Sequence, residues 1–262
     1  MKLSQLLDLT PLLPLLLLPL TQLVAAWSKG QVVRALGWWG VPLTTGWIGV
    51  PVHELSHVLA ARLLGRQVLR VQWFAPDAES GNLGAVHWHP GSGPLAWLAV
   101  FAVGIAPLLG GALCLRALLE GAAWAAGLAL PEAPASSDWQ NWQASAIALV
   151  NWAAAATLAL WRRPDPLAWS AVAGWWAVVS VAAHLSPSTS DLRGAGRGAL
   201  MVAAMALLAV SGCEMAEIRW QAPLARAAVG LAWLLAPGLL LAIPAGLAVG
   251  SAATFVGWLR RS

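Results

Sequence analysis

The sequence has few charged residues, no tyrosine and only two cysteines, and these shortages exclude several classes of protein. Charged residues make up 10% of the 262 residues, whereas a soluble domain of average composition has about 25%. Cys114 and Cys213 both fall in apolar segments and form no CxxC pair, which argues against a disulfide framework and a thiolate metal site. The basic residues are scattered at segment ends, so we expect no nucleic-acid partner.

Long apolar stretches dominate the chain instead. Hydrophobic residues make up 59% of it, and its mean hydropathy is +0.70. Runs of about 20 apolar residues suit helices that cross a hydrocarbon core about 30 Å thick. Such segments lie near 5–26, 36–64, 95–118, 142–161, 166–185, 198–213 and 226–257. Several of the 18 tryptophans stand at segment ends, as anchors at the membrane interface do.

The predicted fold is therefore an all-α polytopic membrane protein with six or seven apolar helical segments in contact with the lipid bilayer. The connections are short, so we expect a single integral membrane domain over residues 1–262. Within it we distinguish an N-terminal helix at 1–35, a core at 36–198 and C-terminal helices at 199–262.

The first and last segments each leave an alternative open. The first resembles a secretory signal peptide, but its apolar stretch reaches Ala26 and Asp8 interrupts its approach, so we expect an uncleaved helix. The last contains Pro237 and Pro244. Because proline interrupts helical hydrogen bonding, this segment is either one broken helix or a tight hairpin.

Residues 53 to 57 read His-Glu-Leu-Ser-His and lie inside an apolar segment. On a helix, His53 and His57 project from one face, so both imidazoles can bind one Zn²⁺ while Glu54 stands beside the open position of the metal. A charge near the bilayer centre costs about 2.5 to 3.5 kcal/mol on insertion scales, so ionisable residues there indicate function. The motif predicts two zinc ligands and a general base.

A change of periodicity follows the motif. Val68–Phe74 and Leu83–His89 have the composition of two strands, and a turn-rich stretch joins them. We therefore expect a small β-hairpin after the metal-binding helix. His87 and His89 alternate onto one strand face, but exposed strand histidines are usually plain surface residues, and we leave them out of the site.

A catalytic zinc site usually has three protein ligands, so the motif needs a partner from elsewhere. Asp191 is the strongest candidate because residues 186–190 are polar and broken by proline. Such a stretch can present a carboxylate from non-helical backbone where a cavity admits water. His184 is the alternative ligand, or else a residue that orients a ligand or the substrate.

The motif, the hairpin, the later Gly-Ile-Ala-Pro helix and Asp191 follow one another in an order that resembles the site-2 protease family of intramembrane zinc metalloproteases. The resemblance covers roughly residues 36–198. It implies that His53, His57 and Asp191 bind Zn²⁺ and that Glu54 is the base. It also implies that the hairpin receives an extended substrate by strand addition.

The chain departs from the family pattern near the aspartate. The family commonly has an Asn-Pro element leading into Leu-Asp-Gly, whereas this chain has Ser186-Pro187 and then Asp191-Leu192-Arg193-Gly194. The chain would therefore be a distant member. Any role of the family's asparagine at the reacting carbonyl has no assigned counterpart here.

Topology sets a further condition. For Asp191 to meet both histidines, an even number of membrane crossings must separate Gly65 from Asp191, yet three apolar segments lie between them. Basic residues divide eight to six between the two sides with or without the extra crossing, so the charge bias does not decide. We expect segment 142–161, or the stretch beside it, to be interfacial or re-entrant.

The sequence thus predicts a zinc metalloendopeptidase in the plasma membrane of a prokaryote. Its partner would be a membrane protein or peptide substrate, cut within or next to the membrane, with Glu54 taking a proton from the attacking water. One alternative is a membrane metal-binding or transport protein, whose ligands line an ion path. The other is an inactive scaffold with a protease-like fold.

Overall fold

A computed structural model describes residues 17–130, 169–216 and 221–260, together with most of 147–158. Its architecture is mostly helical with one small sheet, as the sequence predicts. The α-helices are α1 (Leu17–Leu36), α2 (Trp47–Leu63), α3 (Pro94–Ala125), α4 (Trp169–Ala183), α5 (Thr189–Met215) and α6 (Gln221–Leu259), and the strands are β1 (Gln67–Gln72) and β2 (Ala85–His89).

Three stretches within the described residues are long and apolar enough to cross a membrane. They are Pro94–Ala125, Ser190–Met215 and Leu240–Leu259, in α3, α5 and α6. The middle one buries only 6% of its most apolar window, so most of α5 presents apolar side chains outward. Length and composition therefore support contact with lipid most directly for α5.

The first helix extends beyond the predicted apolar segment. Residues 5–16 of that segment lie outside the described residues, and α1 continues ten residues past position 26 to Leu36, one residue beyond the predicted N-terminal helix at 1–35. The residues after position 26 include several polar side chains. Ser28, one of them, is buried, so its hydroxyl is not exposed to lipid. Gly37 follows with φ 75°, the left-handed conformation that commonly terminates helices.

The later segments also differ from the prediction. Helix α5 begins at Thr189 and runs through the boundary that we expected at 198, because a polar cap starts the helix before its apolar part. Helix α6 is continuous through both prolines, which decides against a hairpin. Segment 142–161 is described only within 147–158, where the described residues are helical, so its predicted failure to cross stays a prediction.

The main core lies between α3, α4 and α6. Leu115 and Leu119 of α3, Val178 of α4 and Leu241 of α6 are buried in one cluster, which also includes Trp152. Burying a side chain of this size contributes about 1.5 to 3 kcal/mol where water is the reference. This core fixes α3 and α4, the helices that flank the motif helix.

Helix α2 carries the motif, and a π-helical turn at Pro42–Gly46 precedes it. It packs against α3 and α4. Gly110 of α3 lies so close to Ser56 that a Cβ atom at this glycine would overlap the Ser56 hydroxyl. This close approach agrees with the packing role expected from the small residues of α3.

Strands β1 and β2 form an antiparallel hairpin, which confirms the prediction for this stretch. The pairing runs from Gln67 opposite His89 to Gln72 opposite Ala85. In the connecting loop, Asp77 accepts hydrogen bonds from the Ser80 hydroxyl (2.6 Å) and the Glu79 N–H (3.0 Å). These hydrogen bonds hold the pKa of the Asp77 carboxyl below its usual range, and the bond from the Ser80 hydroxyl contributes most.

Candidate metal centre

The two motif histidines lie one turn apart on α2 and turn their rings toward each other. Their ring centroids are 4.9 Å apart, and their Nε2 atoms are separated by 3.2 Å. Helical periodicity explains this placement, since residues four apart share one face. The histidine pair expected from the sequence therefore exists as a geometric unit.

The other nitrogen of each ring is held by a backbone carbonyl from a neighbouring segment. Nδ1 of His53 lies 2.8 Å from the carbonyl oxygen of His184, and Nδ1 of His57 lies 2.8 Å from that of Val103. A carbonyl oxygen can only accept, so each Nδ1 carries the proton and donates it. In the neutral imidazole, Nε2 is then left with a free lone pair, which is the form that binds metals.

Asp191 is placed by the first turn of α5. The side chain of Ser188 accepts a hydrogen bond from the Asp191 N–H (3.2 Å), and the Asp191 carboxylate accepts one from the Ser188 N–H (2.7 Å). This reciprocal pair is a capping box. Our expectation of non-helical backbone at Asp191 is therefore wrong: the carboxylate projects from a helix, and the cap fixes its direction.

The three side chains converge, although they come from distant parts of the chain. Nε2 of His53 lies 3.4 Å from one carboxylate oxygen of Asp191, and Nε2 of His57 lies 3.2 Å from the other. Together they are the group among the described residues whose ligand atoms can hold one metal ion, all within 4.8 Å of one another. The side chains are at most 17% exposed.

The geometry suits a small cation at the centre of this group. With both Nδ1 atoms protonated, two bare nitrogens and a carboxylate face one another, and no donor lies between them. Acceptors at these distances repel unless the rings gain protons or a cation is bound. Ligands at about 2.0 to 2.1 Å in a tetrahedron are about 3.3 to 3.4 Å apart, close to the 3.2 to 3.4 Å separations observed.

Two glycines permit the close approach of the surrounding elements. A Cβ atom at Gly104 of α3 would come within 2.6 Å of the Asp191 carbonyl oxygen, and one at Gly84 would come within 2.9 Å of Glu54 Oε1. Real Cβ contacts are longer than this. The absence of a side chain at Gly104 therefore lets α5 reach the histidines, and its absence at Gly84 lets the hairpin reach Glu54.

Glu54 lines a cavity of about 480 Å³ together with the three metal-binding candidates. Its side chain is nearly buried, at 6% exposed, and no hydrogen bond or ion pair ties its carboxylate to another residue in the described ranges. A carboxylate without a structural partner, beside three ligands, is free to exchange a proton with a molecule in the cavity. Residues just before and within β2 line the same cavity.

His184 is near the centre but lies outside the converging group. Its Nε2 atom is 3.1 Å from the Thr45 hydroxyl, while its backbone carbonyl holds His53. Of the two alternatives for this residue, its contacts favour orienting a ligand over being one. His87 and His89 are exposed on β2 and are not among the cavity-lining residues.

The sequence reasoning missed three residues around the centre. Ser188 was identifiable, because Ser-x-x-Asp before an apolar run is a helix-capping signature. Thr45 gave no signal, since its partner His184 is 139 positions away. Lys29 was visible as an ionisable residue next to an apolar segment, but only packing of α1 brings it to the cavity wall.

Comparisons with models of known protein families, with curated proteins and with solved structures find no match to this chain. The geometry of the centre is therefore the main basis for a functional assignment.

Proposed function

We propose that this chain is a multi-pass membrane zinc metalloendopeptidase that hydrolyses peptide bonds within or next to the bilayer. The observation that carries the proposal is the convergence of two imidazole Nε2 atoms and a carboxylate beside Glu54, in one cavity, with each Nδ1 held by a backbone carbonyl. Two histidines with one carboxylate as ligands, and a carboxylate base beside them, are the ligand and base types of hydrolytic zinc sites.

In this proposal the residues that hold the metal are His53, His57 and Asp191. Bound Zn²⁺ would supply a Lewis acid that polarises the scissile carbonyl and lowers the pKa of water toward about 7. Nitrogen ligands favour zinc over magnesium or calcium, which prefer all-oxygen sites. The carbonyls of His184 and Val103 keep both rings in the tautomer that the metal needs.

Glu54 acts as the general base. Its carboxylate takes a proton from the attacking water and returns it to the amine that leaves. The lack of a structural partner supports this role, since a carboxylate held by an ion pair would exchange protons poorly. The near-burial of Glu54 restricts its contact with bulk water.

Strand β2 gives the substrate a place to lie. Ala85, Val86 and Trp88 line the cavity, whereas His87 is exposed, so the strand presents one side to the metal-binding candidates. A helical substrate has its carbonyls bonded internally and must unwind before attack. Pairing of the unwound segment with the hairpin would satisfy its backbone hydrogen bonds.

A membrane location is supported by the three helices long enough to span a bilayer and by the outward apolar surface of α5. We place the protein in the plasma membrane of a prokaryote. The resemblance of residues 36–198 to the site-2 protease family is consistent with this proposal, and the missing asparagine makes the chain a distant member. The proposed activity does not depend on the resemblance.

Substitution of Glu54 tests the proposal. Purified full-length protein in detergent micelles is loaded with Zn²⁺, and cleavage of casein labelled with a quenched fluorophore is followed alongside metal content. We expect about one zinc per chain in wild type and in Glu54→Gln, with cleavage only in wild type, because an amide cannot accept the proton.

The same variant separates the alternatives. Cleavage retained by Glu54→Gln would overturn the mechanism. Zinc flux into liposomes that is equal in wild type and Glu54→Gln, with no proteolysis in either, would instead favour the transport alternative. Zinc binding with neither proteolysis nor flux would favour the inactive scaffold.

A further inference from the structure

Lys29 lies on α1 and lines the cavity that holds Glu54 and the three metal-binding candidates. Apart from Lys2, every other basic residue of the chain that is not a histidine is arginine. Among the residues that the structure describes, no hydrogen bond or ion pair involves the Lys29 ammonium group. A lysine with no partner at the wall of a half-open cavity, on a helix packed against its neighbours, is costly to maintain.

The charges around the cavity leave this lysine in excess. The ionisable side chains at its wall, apart from the histidines, are Lys29, Glu54 and Asp191. A divalent cation between the histidines is balanced by the two carboxylates. Among the described residues of the wall, the Lys29 ammonium then remains as the one uncompensated positive charge, so the occupied cavity attracts an anion.

The contacts of the acidic residues show why Lys29 is not simply their structural partner. Both oxygens of Asp191 face the histidines, and one of them also accepts from Ser188. Glu54 forms no ion pair within the described part of the chain. The ammonium group is therefore available to a molecule that enters the cavity.

We propose that Lys29 is a specificity-determining residue whose ammonium group binds a carboxylate of the substrate. The inference rests on the proposed function, because it concerns the segment that lies across the metal centre. That segment would carry either an acidic side chain or a free C-terminal carboxylate close to the scissile bond. Both sources present the same chemistry to Lys29, and each would form a charge-assisted hydrogen bond with its ammonium group.

Peptide binding without turnover tests the inference. The full-length Glu54→Gln protein, loaded with Zn²⁺ in detergent micelles, is titrated with peptides that carry a tryptophan quencher, and its tryptophan fluorescence is measured. One peptide has the sequence Leu-Ala-Glu-Leu-Ala-Leu with the quencher on its N-terminus and an amide at its C-terminus; the second has Gln in place of Glu; the third has Gln and a free C-terminal carboxylate. We expect at least one carboxylate peptide to bind about tenfold more tightly than the neutral one.

The tighter carboxylate peptide identifies the source. Lys29→Met in the same background should reduce the preference at least threefold, because the direct contact is lost although the metal keeps an excess positive charge, whereas Lys29→Arg should retain it. Lys29→Glu should reverse it in favour of a peptide with Lys at the varied position. The inference would be overturned if all three peptides bound equally to the protein that keeps Lys29. It would also be overturned if the carboxylate preference were undiminished in Lys29→Met or unchanged in Lys29→Glu.

Cleavage of the same peptides by the protein with its native Glu54 distinguishes the proposed role of Lys29 from the proposed endopeptidase activity. A carboxylate preference that depends on Lys29, without cleavage of any peptide, supports the role of Lys29 and contradicts the endopeptidase. Cleavage of all three peptides at equal rates, with equal binding, contradicts the role of Lys29 and supports the endopeptidase.

Discussion

The histidine side and the aspartate side of the candidate metal centre are held by different kinds of contact. His53 and His57 are oriented by carbonyls that lie 131 and 46 residues away in the chain. Asp191 is oriented by Ser188, three residues away, through the cap of its own helix. The histidine geometry therefore depends on tertiary packing, and the direction of the carboxylate depends on local structure.

For the histidines and for Asp191, the contacts that bring the side chain to the centre differ from those that orient it. The spacing of the histidines locates them on one face, but only the packing of α3 and of the end of α4 fixes their tautomers. The cap fixes the carboxylate on α5, but only the contact of α5 with Gly104 brings it to the histidines. Each side thus needs one local and one long-range condition.

Removal of a histidine should have the largest effect. In His57→Ala, one of three ligands is lost, and we expect stoichiometric zinc binding to disappear, with affinity reduced by more than about 100-fold, because even residues that only orient ligands contribute about 10- to 100-fold. His89→Ala is the matched control, since His89 is exposed on β2. Equal zinc content in the two purified variants would contradict the assignment of His57.

Crowding the contact between α3 and α5 should have the next largest effect. In Gly104→Ala, the new methyl group would meet the Asp191 carbonyl oxygen, so α5 must shift and zinc affinity should fall about 10- to 100-fold. Gly121→Ala on the same helix meets nothing within 4 Å and should bind zinc normally. Competition with a chelator measures the zinc affinity of both variants. Equal affinities would refute the idea that the contact of α5 with Gly104 brings Asp191 to the histidines.

Loss of the helix cap should have the smallest effect. Ser188→Ala removes one half of the capping box, which costs about 1 kcal/mol, equivalent to a factor of about five in zinc affinity. Ser188→Thr keeps a hydroxyl and should restore most of it. A Ser188→Ala loss as large as that of His57→Ala would show that the carboxylate depends on more than its cap.

Local features account for the parts of the molecule that could be predicted. The His-Glu-Leu-Ser-His spacing, the hairpin at 67–89 and the mostly helical class each depend on neighbours in sequence, and the structure agrees with them. The capping signature at Ser188 was equally local, so the predicted non-helical backbone at Asp191 was an avoidable error.

Long-range packing accounts for what could not be predicted. The end of α1 at Leu36 lies within one residue of the predicted end of the N-terminal helix, but the burial of Ser28 in it depends on packing that composition does not show. The contact of Thr45 with His184 and the position of Lys29 depend on where α1 and α4 pack. The choice of Asp191 over His184 rested on the polar, proline-broken stretch at 186–190, and the distances from Asp191 to His53 and His57 support it.

X-ray absorption at the zinc edge can show whether His53, His57 and Asp191 together bind one zinc ion, as we propose. For the zinc-loaded full-length protein, we expect two imidazole nitrogens at about 2.0 to 2.1 Å from zinc and a carboxylate oxygen at about 2.0 to 2.2 Å from it. The carboxylate contribution should be absent in Asp191→Ala. A spectrum with three imidazole ligands, or a spectrum that Asp191→Ala leaves unchanged, would show that Asp191 is not a zinc ligand.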